Sequence, residues 1–186
     1  MIAILLTVFL VVLVFFSVVG IYNGLVTLKN QVKNAYSQIE VQLKRRHDLI
    51  PNLVESIKGY MAHESQTLEN VIKARNIASN ISPDAKIQSQ NETMLSGALK
   101  SLFAVSENYP DLKANQNFLS LQEELTTTEN KIAFARQFYN DSVMQYDTKK
   151  EIFPNNLIVS MFNFESFNMF EIQDAAEREN VKISFN

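Results

Sequence analysis

Side chains able to act on one another gather in the run Lys44-Arg45-Arg46-His47-Asp48-Leu49-Ile50-Pro51-Asn52-Leu53-Val54-Glu55. Arg45 and Asp48 are three residues apart, Asp48 and Asn52 four, Asn52 and Glu55 three. On a helix such steps place side chains on a common face. Pro51 removes a backbone donor and crowds the carbonyl four residues earlier, so Asp48 and Asn52 stand where they could bond the freed groups. Arg46 falls on the apolar seam of the same helix. Two readings stay open: a solvated charged face, or a partly buried network with a facing helix. A second polar set, Glu129, Arg136 and Asn140, flanks a later apolar seam, and Glu129 is a candidate ion partner for Arg45 or Arg46.

Other chemistry has little to draw on. His47 and His63 are the only histidines and there is no cysteine. The pairs His47-Asp48 and His63-Glu64 are adjacent, and adjacent helical residues point apart. Surface or capping roles are expected for both histidines. No H-E-x-x-H, P-loop, G-x-S-x-G or G-x-G-x-x-G pattern occurs. We therefore expect no catalytic, metal or cofactor site and no enzyme. The formal charge of −3 speaks against nucleic acid as a partner, because its backbone is gripped by clustered Lys and Arg.

The elements that carry these residues begin with a span. Residues 1–21, MIAILLTVFLVVLVFFSVVGI, hold no charged side chain. As a helix this stretch is about 30 Å long, enough to cross a hydrocarbon core. It lacks the basic start and small-residue cleavage site of a signal peptide. The lipid bilayer is thus the first expected partner. Lys29 and Lys33 follow the span, and positive residues tend to stay cytoplasmic. The expected arrangement is single-pass, N-terminus out, with the C-terminal domain in the cytoplasm.

Beyond the span, Val32, Tyr36, Ile39, Leu43, Arg46, Ile50, Leu53, Ile57 and Tyr60 alternate steps of four and three. That is a heptad seam. It predicts one helix from residue 25 to about 80, kinked rather than broken at Pro51 and stopped by Ser82-Pro83-Asp84. A second helix is predicted from about 87 to 105, with Ile87, Met94, Leu95, Ala98, Leu102, Phe103 and Val105 on its apolar side. A turn follows around Tyr109-Pro110. A third helix, from about 115 to 150, carries the seam Phe118, Leu121, Leu125, Thr128, Ile132, Ala135, Tyr139, Ser142, Tyr146. Two matched seams predict antiparallel pairing. A short fourth helix is expected over 156–162. The tail is aromatic, and Phe164, Phe167 and Phe170 are candidates either for packing on the bundle or for meeting the membrane or a partner. A helical turn is expected over 174–180 and an extended ending over 181–185.

These residues resemble the LemA family of bacterial membrane proteins. The resemblance rests on Tyr22-Asn23-Gly24-Leu25-Val26 and on the run from Ala35-Tyr36-Ser37-Gln38-Ile39 through Arg45-Arg46-His47-Asp48-Leu49-Ile50-Pro51-Asn52-Leu53-Val54. It resumes at Tyr109-Pro110-Asp111-Leu112-Lys113-Ala114-Asn115, Thr128-Glu129-Asn130-Lys131-Ile132-Ala133 and Ala135-Arg136-Gln137-Phe138-Tyr139-Asn140. One departure is Met161-Phe162-Asn163-Phe164, where the resemblance implies a Gly-Phe element. It implies an all-α fold, an N-terminal transmembrane helix continuing into an up-and-down bundle of about four long helices. The organisation is then an anchor at 1–21, a bundle at 22–162 and a tail at 163–186 packing on it. It implies no established enzymatic activity, and an association with membrane metalloproteases and envelope homeostasis in the bacterial inner membrane. The expected function is a non-enzymatic membrane-anchored scaffold or adaptor, self-associating as a homo-oligomer or bound to a membrane protease or other membrane protein. The alternative is a membrane-stress or signalling module switched by release of the C-terminal tail.

Overall fold

The computed structural model describes residues 1–170. Its regular elements are all helices: α1 (Ile2–Lys58), α2 (Ser65–Ala78), α3 (Ala85–Ser106), α4 (Pro110–Lys113), α5 (Gln116–Glu151) and α6 (Asn155–Phe162). The turn expected over 174–180 and the ending over 181–185 lie outside the described residues.

α1 changes environment along its length. Residues 1–17 are exposed all round, and none of the most apolar window is buried in protein. A helix apolar on every side with no protein face requires lipid around it. From Leu25 onward the same helix buries a stripe: Leu25, Val32, Ala35, Ile39, Leu43, Arg46, Ile50, Leu53 and Ile57. It runs on through Pro51, which stands exposed. Beyond Tyr22 this rod extends about 55 Å at 1.5 Å per residue.

The helix predicted to reach residue 80 instead stops at Lys58. Gly59 follows, a residue roughly 1 kcal/mol poorer than Ala in a helix. The amides of Tyr60 and Met61 both donate to the Ile57 carbonyl, and Met61 turns fully into the core. α2 then runs back along α1. Ile57, Met61, Leu68 and Val71 keep heptad phase across the turn, which is why the break leaves no mark on the apolar rhythm.

The restart at Ser82-Pro83 is capped as its composition demands. Asp84 accepts the Lys86 amide at 2.9 Å and heads α3. Asn115 does the same for the amides of Asn117 and Phe118 at the head of α5. Each such cap contributes about 1 kcal/mol. α1, α2, α3 and α5 therefore alternate in direction, an up-and-down bundle.

Two apolar cores result. The distal core joins Ile50, Leu53, Ile57 and Met61 to Leu68, Val71, Leu95, Leu102, Phe118 and Leu125. The core nearer the membrane joins Val32, Ala35, Ile39 and Leu43 to Ile132, Tyr139, Val143 and Tyr146. α3 begins at Ala85, so it supplies little below that level. There residues 164–170, outside any regular element, take its place between α1 and α5. Phe170 is buried against Tyr36 and Tyr139 at centroid distances of 6.0 and 5.5 Å. Phe167 meets Tyr146 at 5.6 Å, and Phe164 meets Tyr22 at 5.6 Å. The Asn168 amide donates to Asp84, joining this segment to the start of α3. Asn163 turns the chain out of α6 with φ of 50°, a left-handed conformation that Gly favours and Asn tolerates. The departure from the Gly-Phe element thus falls on a position whose backbone explains both residues.

Candidate functional site

Between the two cores lies a layer of buried charge. Arg46 on α1 is 2% exposed and Glu92 on α3 is 0% exposed. Arg46 Nη1 lies 3.1 Å from Glu92 Oε2 and 3.1 Å from Glu129 Oε2 of α5. Its Nη2 donates to Ser96 Oγ at 2.8 Å. The other carboxylate oxygen of Glu92 accepts from Gln88 Nε2 at 2.8 Å and pairs with His47 Nε2 at 3.0 Å. An ionised carboxylate only accepts, so in this contact the His47 ring donates through Nε2. α2 enters through Arg75, whose Nε donates to the His47 carbonyl at 3.1 Å. Gln88 closes the layer: it donates to the Ala78 carbonyl and accepts the Ser82 amide. Four helices are thus tied at one level.

The chemistry of this layer is inward. Both Glu92 oxygens are occupied by donors from its own chain, which leaves the carboxylate engaged rather than poised towards an incoming substrate. A buried ion pair adds little net stability against an apolar isostere, yet breaking one is expensive. Its value is register. An apolar seam tolerates sliding by a heptad, whereas Arg46 finds Glu92 and Glu129 in one alignment only.

About two to three turns nearer the membrane, Arg136 and Asn140 of α5 meet the tail. The Arg136 guanidinium lies 5.2 Å from the centre of the Phe170 ring, a cation–π contact. Among the described residues its Nε and Nη2 are buried without a hydrogen-bond partner. Burial pulls its pKa down, opposed by the charges of Glu92 and Glu129. Asn140 accepts the Phe170 amide at 2.9 Å and donates to the Phe170 carbonyl at 3.0 Å. Burial raises the phenols beside them: Tyr139 and Tyr146 are each pushed up to about 12, and Tyr36 higher still. Tyr36 donates to the Ser82 carbonyl, Tyr139 to that of Asn168 and Tyr146 to that of Glu165. Among the described residues there is no group of three or more metal-ligating side chains.

Residues 35–185 match the LemA family. A protein named LemA from Metamycoplasma hominis is 30% identical over 166 residues, covering 86% of this chain and 74% of that protein. The chain belongs to the LemA family. More distant likenesses are Magnetosome protein MamQ 2 of Paramagnetospirillum magneticum, 22% identical, and Magnetosome protein MamQ of Magnetospirillum gryphiswaldense, 21% identical. Each covers 84% of this chain, which in turn spans 66% of each of those relatives.

In this LemA-family chain the structure brings together only part of the set singled out by spacing. Arg46 and Glu129 meet directly, with Arg136 in their electrostatic reach. Arg45 is exposed and pairs with Glu124 at 2.6 Å, not with Glu129. Asp48, Pro51 and Asn52 lie on the exposed face of α1, away from the cluster. His63 is exposed, but His47 is buried, contrary to the surface role expected of it. Phe164 and Phe167 are half-buried and Phe170 buried, so the aromatic tail up to 170 faces the bundle.

Glu92, Gln88 and Ser96 lie outside the set that spacing singles out. A signal existed. From Ala85, steps of three and four pass through Gln88, Glu92, Leu95, Leu99, Leu102 and Ser106, all buried. Of the apolar side expected for this helix, Leu95 and Leu102 are buried and Ala98, Phe103 and Val105 pack against the distal core, while Ile87 and Met94 are exposed. In the first half of α3 the core positions go to Gln88 and Glu92 instead, and hydrophobicity alone misses them.

Proposed function

We propose that this LemA-family protein is a non-enzymatic scaffold or adaptor that self-associates in the membrane and serves membrane complexes, among them proteases or envelope-homeostasis assemblies. One observation carries the reading. α1 is a single helix from the lipid-requiring stretch to the buried Arg46 cluster, so span and bundle move as one body. Such a rod presents a fixed face beside the membrane. On that face Val41 of α1 and Phe134 and Phe138 of α5 form an exposed apolar patch. Copies held in one membrane present it in parallel at high effective concentration, which favours a second copy as its occupant. The chain has no Cys, so a Phe138→Cys variant crosslinks only through that site. A dimer is expected with a bismaleimide in native membranes. Monomer alone, with no co-purifying membrane protein, would overturn the reading.

The same proposal places the bundle in the cytoplasm of a bacterial inner membrane, on the strength of Lys29 and Lys33 after the span. An impermeant maleimide should leave exposed Ser120→Cys unlabelled on intact cells. Labelling would reverse the orientation.

A second reading, a membrane-stress module switched by tail release, is favoured by the paired Asn140–Phe170 bonds and by the Arg136 guanidinium packed on the Phe170 ring, which fasten the tail to α5 at one point. Removing residues after Phe162 is then expected to open the bundle to protease. An unchanged cleavage pattern would dispose of it.

A further inference from the structure

α6 wears its apolar residues on the outside. Asn155 and Ile158 face the bundle, while Leu157 and Met161 are exposed. With Phe153 they make a stripe at four-residue steps, and Phe153 and Met161 are 79% and 74% exposed. The helix NNLIVSMF contains no charged residue. A surface helix in water turns its polar face outward; this one turns its apolar face outward.

Its position supplies the reason. Tyr36 faces Tyr139 at 5.5 Å and Arg46 reaches Glu129 at 3.1 Å, so ten residues along α1 match ten along α5. The same register carried to the end of α5 brings Glu151 level with Gly24. Both ends of α6 are held near that level. Asn155 Nδ2 donates to the Lys149 carbonyl at 2.7 Å, and the Phe162 ring packs edge-on against Tyr22 at 5.0 Å. Tyr22 directly follows the apolar stretch 1–21, where a tyrosine marks the membrane–water interface.

We infer that α6, with Phe153, is an interfacial helix that inserts Phe153, Leu157 and Met161 into the headgroup–acyl boundary of the bilayer α1 crosses. The surface is continuous with the span itself, and the occupant is lipid. This gives the bundle a second attachment point. A lone span leaves the domain free to rotate about its axis; α6 sets which face looks along the membrane and which looks away. The inference rests on α1 spanning the bilayer and is independent of the scaffold reading.

The chain has no Trp, so single substitutions report alone. Phe153→Trp, Met161→Trp, Phe9→Trp in the span and Leu119→Trp at the exposed distal end of the bundle would be compared in full-length protein reconstituted into vesicles of mixed zwitterionic and anionic phospholipid. Expected are blue-shifted emission and quenching by acyl-brominated lipid for the Phe153→Trp and Met161→Trp variants, with neither for Leu119→Trp. Phe153→Trp emission matching that of Leu119→Trp would overturn the inference. So would a blue shift without quenching, which would mean protein rather than lipid covers the stripe. Phe9→Trp must be quenched for the span to stand; if it is not, both the span and the inference fall.

Discussion

Arg46 and Glu92 meet at 3.1 Å, out of solvent, at the level where α1, α2, α3 and α5 converge. The pair sits between two apolar cores and belongs to neither. It does for a bundle what a single polar residue does for a coiled-coil seam: it specifies alignment.

The two carboxylates that serve Arg46 should not be equivalent. Glu92→Gln leaves Arg46 buried without its main counter-charge and is expected to cost about 3–5 kcal/mol. Glu129 is 46% exposed at its side chain, so solvent screens its pairing and Glu129→Gln should cost less than about 1 kcal/mol. Urea unfolding of the full chain in detergent measures both. Equal losses would show that the cluster is not centred on Glu92.

Asn163 holds a left-handed backbone at the end of α6. Asn163→Gly should therefore fold with stability equal to or above the parent. Asn163→Val should lose roughly 1–2 kcal/mol from the strain of a β-branched residue at positive φ. Thermal unfolding of the two variants reads the difference, and tolerance of valine would refute the local geometry.

Alkali should loosen the core nearer the membrane. Burial raises Tyr139 from 10.0 to about 12, so the folded chain keeps that proton where the unfolded chain has released it. Stability is then full below the ordinary tyrosine value and falls as pH rises through the window up to about 12. Tyr139→Phe removes the titration but also the bond to the Asn168 carbonyl. The variant should start less stable yet decline less steeply between those limits, as followed by urea midpoints against pH. Parallel slopes would sink the assignment.

The tail should depend on Asn140. Asn140→Ala removes both main-chain bonds to Phe170, together worth about 1–3 kcal/mol. Limited proteolysis should cut within 163–170 faster in the variant, while cleavage near 59–64 stays unchanged. Equal rates at both places would mean that the aromatic contacts alone hold the segment.

The pairing of α1 with α5 was legible in the sequence because both seams are apolar or small at nearly every core position. Arg46 stood out as the exception, and its facing partner Glu129 could be named. α3 was legible as a helix and along its second half, where Leu95 and Leu102 are buried; its first half was not, since Gln88 and Glu92 sit in the core stripe while Ile87 and Met94 look outward. A buried polar network hides from the signal that hydrophobic periodicity reads. Asp48 and Asn52 show the complementary limit. Helical spacing shows that they share a face, but the face is decided by what packs opposite, and here that is water. The turn at 59–64 was hidden for a third reason: a single Gly is a weak stop, and the core residues on either side keep phase.

The absence of any interruption in α1 also makes it a lever arm. From Tyr22 to Arg46 is about 36 Å of helix at 1.5 Å per residue. A tilt of roughly ten degrees, well within what bilayer thickness imposes on a span, would carry Arg46 sideways by about 6 Å. A membrane of different thickness that changed this tilt would sweep the distal end of the bundle across the surface.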